Sequence, residues 1–108
     1  MNDRELLELA ARAAGYQFSY SYRSLSSPAV PVILAETGRW RKWDPRHDDG
    51  DALSLAVDAG ILDGNAFSVW LNYRNGAMAI EGLGAREATR LAFVRAAAEI
   101  GKSMGGGE

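Results

Sequence analysis

The sequence predicts an α+β domain: an antiparallel sheet of about four to five strands with three helices, in the order α-β-ββ-α-ββ-α. Three observations carry this. Capped segments with helical apolar spacing stand near both ends and in the middle of the chain. A strict aromatic/polar alternation runs over residues 16–22. Two pairs of apolar segments are joined by turn chemistry, at Thr37-Gly38 and at Asn75-Gly76. Hairpin-linked strands with helices around them favour an antiparallel sheet covered by helices on one face.

The first helix is expected over residues 2–14. Asn2 as N-cap and Glu5 three residues on form a capping pair, and Leu6, Leu9, Ala10 and Ala13 make one apolar stripe. Gly15 ends it, because glycine takes the left-handed conformation at no steric cost. The alternation that follows puts Tyr16, Phe18, Tyr20 and Tyr22 on one face of a strand. A core-facing strand accounts for this; an aromatic platform for stacking a ligand ring is the sharper alternative. Residues 23–31 are rich in serine and proline and read as a loop. Residues 32–36 and 39–43 then form a hairpin with Trp40 opposite Arg39 and Arg41, ended by Asp44-Pro45.

The second helix starts at Asp48, with Asp48, Asp49 and Asp51 as its N-cap acids and Ala52, Leu53, Ala56 and Val57 as its buried stripe. Gly60 and Ile61 complete a Schellman ending in which Ile61 packs back on Ala56. Residues 66–81 read as a second hairpin about Asn75-Gly76, with Phe67, Val69, Leu71, Tyr73, Met78 and Ile80 on one face and Trp70 on the other. The third helix runs from Ala85 to about Lys102. Thr89, Phe93, Ala96 and Ile100 form its main stripe, and Leu91, Val94 and Ala98 a second flank. A single domain over residues 1–102 with a flexible tail over 103–108 is expected.

With 108 residues, 47% hydrophobic and 24% charged, the chain has ordinary globular composition and room for one core. It has no cysteine, which excludes disulfides and thiolate metal sites. A formal net charge of -2 supplies no global positive field and so disfavours nucleic acid as partner. No apolar run reaches membrane-spanning length, and charged residues open the chain, so a soluble cytoplasmic protein without signal peptide or membrane contact is expected.

Chemistry has few places to sit. Asp44, His47, Asp48, Asp49 and Asp51 form the one carboxylate–imidazole cluster, yet their spacing departs from a calcium loop and acids belong at a helix start. His47 lacks a second imidazole or a nucleophile to serve. Neither catalytic residues, nor a metal, nor a cofactor is therefore expected. Arg39-Trp40-Arg41-Lys42-Trp43 interleaves cations and rings as a binding surface does, and with Trp70 it supplies the candidate binding residues. The plainer reading puts the tryptophans in the core and the cations in water.

Trp43-Asp44-Pro45, followed by Asp48-Asp49-Gly50-Asp51-Ala52-Leu53 and Leu55-Ala56-Val57, resembles a signature of small bacteriophage- and prophage-encoded proteins of unknown function. The layout is also loosely similar to phage NinX-like proteins. The resemblance covers roughly a quarter of the chain and implies a phage accessory role in the host cytoplasm, with no reaction attached. The expected function is a non-enzymatic module that binds a host or phage protein, with a homodimer as one form. The alternative is a small-ligand, nucleotide or nucleic-acid binder using the aromatic–basic segment.

Overall fold

The computed structural model describes residues 2–21 and 30–104. The chain runs α1 (Asp3–Ala14), β1 (Phe18–Ser21), β2 (Val30–Leu34), β3 (Trp40–Lys42), α2 (Asp49–Asp58), α3 (Gly64–Ala79) and α4 (Ala85–Met104). It is an α+β fold with one three-stranded antiparallel sheet, order β1-β2-β3, and four helices. The expected fourth and fifth strands are replaced by α3. Tyr22, most of the expected serine- and proline-rich loop, and residues 105–108 of the expected tail lie outside the described residues. Ser103 and Met104 of that tail are the last turn of α4.

Local sequence accounts for most ends. Asn2 Oδ1 accepts from Glu5 N–H at 2.8 Å, while the Glu5 carboxylate takes the Asn2 side-chain amide rather than the backbone N–H a full capping box uses. Gly15 closes α1 at φ 80°. At the end of α2, Ile61 N–H reaches Ala56 O at 3.1 Å and Gly60 N–H reaches Val57 O at 3.1 Å, the Schellman pattern. The β2–β3 hairpin forms about Thr37-Gly38, with Gly38 at φ 83°.

The segment read as a second hairpin is helical for a tertiary reason. Phe67, Val69, Leu71 and Tyr73 alternate, but Ala66, Trp70, Tyr73 and Ala77 also repeat at helical spacing. That second set faces the core: Ala77 is buried, and Ala66, Trp70 and Tyr73 pack on Ile61, Phe93 and Ala96. Asn75-Gly76 sits inside the helix, where a glycine costs about 1 kcal/mol against alanine. Packing along α4 outweighs that cost.

α4 is the axis of the molecule. Leu91, Val94, Ala97 and Gly101 are buried on one side, with α1 packed along α4, and Phe93 and Ala96 are buried towards α2 and α3. The two apolar flanks therefore meet helices of the same chain, and Leu91 and Val94 leave no surplus for another subunit. One core joins Leu7, Ala10 and Ala11 to Ile33, Trp43, Leu55, Val94 and Ala97. The other joins Ala52, Ala56 and Ile61 to Phe93 and Ala96.

Candidate functional site

The segment from Trp43 to Val57 folds into a knot of structural contacts. Trp43 is 1% exposed, and Tyr16 and Phe18 meet its ring edge-on at 5.8 Å each. Asp44 N–H donates to Asp51 Oδ2 at 2.9 Å, and Pro45 is buried behind it. Asp48 caps α2 by accepting from Asp51 N–H at 2.8 Å. A Cβ on Gly50 would lie 3.3 Å from that Asp48 carboxylate.

The remaining acids hold elements together. Asp51 Oδ1 pairs with Arg41 at 3.0 Å, tying α2 to β3. Asp49 pairs with Arg90 at 2.7 Å and Arg86 at 3.5 Å, tying α2 to α4. Arg90 Nε also donates to Arg46 O at 2.8 Å, and Arg46 reaches Asp3 of α1 at 2.8 Å. His47 Nδ1 lies 2.9 Å from Asp44 Oδ1. The acidic cluster is thus spread over separate partners, and apart from the Asp48 cap and His47 none is one that the local sequence pairs with it. Arg46, Arg86 and Arg90 carry no short-range signal of this role because their partners come from distant parts of the chain. Among the described residues no group of three or more metal-ligating side chains is arranged around a common point.

The candidate binding residues divide. Trp43 is core and Arg41 is committed to Asp51. Trp40 is 49% exposed, and Arg39 stands exposed beside it. Trp70 is half-buried between Phe67 at 5.3 Å and Phe93 at 4.9 Å, and its Nε1 has no hydrogen-bond partner.

The aromatic face of β1 looks inward, as the plainer reading required. Tyr16 and Phe18 pack on Trp43, and the Arg4 guanidinium sits 5.1 Å over the Tyr20 ring. The Tyr16 hydroxyl donates to Asp58 Oδ2. Burial, and then the Asp58 carboxylate, push the Tyr16 hydroxyl well above the ordinary tyrosine value of 10.0. A raised value means the folded state holds its proton longer than the unfolded chain. Stability is therefore full below about pH 10 and falls as pH rises further. Urea melts between about pH 9 and 11 should show this alkaline decline, and Tyr16→Phe should flatten it. An identical decline in the variant would separate it from Tyr16.

A surface the sequence assigned to the core lies open. In α2 the expected stripe is split: Leu53 is 56% and Val57 58% exposed, while Ala52 and Ala56 are buried together with Leu55. α2 leans on α4 closely through alanine, so its apolar stripe is rotated and half of it faces solvent. Leu53 and Phe93 share a cleft of about 400 Å³ with Ala52, Thr89 and Arg86. Beneath that cleft Phe93, 8% exposed, meets Trp70 edge-on, and Trp70 meets Phe67, itself 43% exposed. An apolar strip thus links α2 to α3, exposed at Leu53, Val57 and Phe67 and joined beneath the surface through Phe93 and Trp70.

No protein-family model, curated protein or solved structure matches this chain.

Proposed function

We infer that this chain is a non-enzymatic protein-binding module of the phage accessory kind, acting on a host or phage protein in the host cytoplasm, with the strip from Leu53 and Val57 to Trp70 and Phe67 as its contact. The observation that carries this is the pair Leu53 and Val57, both more than half exposed one turn apart beside a cleft floored by Phe93. Contiguous exposed apolar surface is costly in water and marks interaction faces. A half-buried tryptophan with phenylalanines on either side supplies the aromatic anchor such faces depend on.

The test compares the tagged protein with a Leu53→Lys/Val57→Lys variant in capture from host and infected-host lysates, followed by native mass spectrometry. Both positions face solvent, so the variant should melt within about 1 kcal/mol of the parent. The parent should retain a stoichiometric protein, or a second copy of itself, and the variant should lose it. Equal retention by both would remove this face from the account.

A further inference from the structure

Among the described residues strand β3 ends the sheet and leaves backbone groups unpaired. Ala35 N–H donates to Arg39 O at 2.9 Å and Trp43 N–H to Pro31 O at 3.0 Å. In that antiparallel register the backbone groups of Arg39, Arg41 and Trp43 point at β2, and those of Trp40 and Lys42 point away from it. Lys42 O accepts from the Arg41 guanidinium at 3.1 Å. Among the described residues the N–H and C=O of Trp40 and the N–H of Lys42 remain as an open ladder. All three residues of β3 are exposed, and neither Arg39 nor Lys42 pairs with an acid among the described residues.

We propose that this edge is a docking site for an extended, acidic segment of a partner protein, added as a fourth strand beside β3. Backbone hydrogen bonds to Trp40 and Lys42 give the affinity, and cations on both faces of the strand give the selectivity. Lys42 shares the outer face with Trp40, whereas Arg39 lies on the other. A carboxylate therefore meets a positive charge in either register. A second copy of this chain is disfavoured, because pairing β3 with itself about Arg41 sets Arg41 opposite Arg41 and gathers Arg39 and Lys42 of both copies along the same seam. A nucleic acid fits less well, because a phosphate carries no N–H to donate to the Trp40 carbonyl, as the backbone of an added strand does. The site is separate from the apolar strip and does not rest on it.

The experiment uses the isotopically labelled full chain, observed by amide exchange in NMR at low salt. The probes are a capped peptide alternating valine and glutamate, its valine–lysine counterpart, and single-stranded DNA. The glutamate peptide should slow exchange at the Trp40 and Lys42 amides about tenfold. Arg41, whose amide points at β2, should not change. Lys42→Pro removes an outward N–H and leaves the β2 ladder, so it should abolish the effect. Should that variant misfold, Arg39→Glu with Lys42→Glu decides, since it should transfer the preference to the lysine peptide. Equal protection by both peptides, no protection by either, or stronger protection by DNA would each overturn the proposal.

Discussion

Gly101→Ala is expected to cost about 3 kcal/mol, a large share of the stability of a domain this size. The reason is the approach of α1 to α4. A Cβ at position 101 would lie 1.9 Å from Leu9 O and 2.7 Å from Leu9 C, both backbone atoms that no side-chain rotation can move. The helices must separate, and separation opens the packing of Ala10, Ala11, Val94 and Ala97 along the same seam. The identical substitution at Gly76 should act in the opposite direction. That glycine lies inside α3 with nothing within 4 Å of the added methyl, so alanine gains about 0.5–1 kcal/mol by restricting the unfolded chain. Urea denaturation of both variants checks the pair. Were residues 66–81 a hairpin, Gly76→Ala would destabilise by removing a turn residue.

Trp43→Ala carries the second large effect, about 3–5 kcal/mol. Its ring is enclosed by Tyr16, Phe18, Ile33, Leu55 and the α1–α4 seam, so truncation leaves a cavity shared by the sheet and three helices. Trp43→Phe should cost much less, about 1–2 kcal/mol, because Trp43 Nε1 is buried without a hydrogen-bond partner and phenylalanine removes that unpaired donor with the lost volume. Thermal or urea unfolding separates the two variants. A phenylalanine variant as unstable as the alanine one would mean that the indole N–H has a partner. Neither variant should alter the binding strip directly, since Trp43 reaches no part of it.

What the sequence revealed and what it hid follow from the range of the interactions. The Asn2 and Asp48 caps, the Gly60–Ile61 ending and the Thr37-Gly38 turn are decided within a few residues, and each stands where local chemistry puts it. α3 was hidden because its apolar residues satisfy both a two-residue and a helical period, and only Phe93 and Ala96 across the core choose between them. The orientation of α2 was hidden for a related reason. Its stripe of Ala52, Leu53, Ala56 and Val57 is broad enough to rotate, and the core takes the alanines together with Leu55. For the candidate binding residues the sequence shows types but not places: Trp40 and Trp43, three positions apart, end in solvent and in the core. The acids of the segment from Trp43 to Val57 serve as cap, backbone acceptor and ion-pair partners.

The measurement that tests the functional account most directly is hydrogen–deuterium exchange on the isolated complex, compared with the free chain. The account predicts new protection over residues 53–70, centred on α2 and the start of α3, from burial of Leu53, Val57, Phe67 and Trp70 by the partner. Protection confined to other surfaces, with that strip exchanging as it does in the free chain, would contradict it.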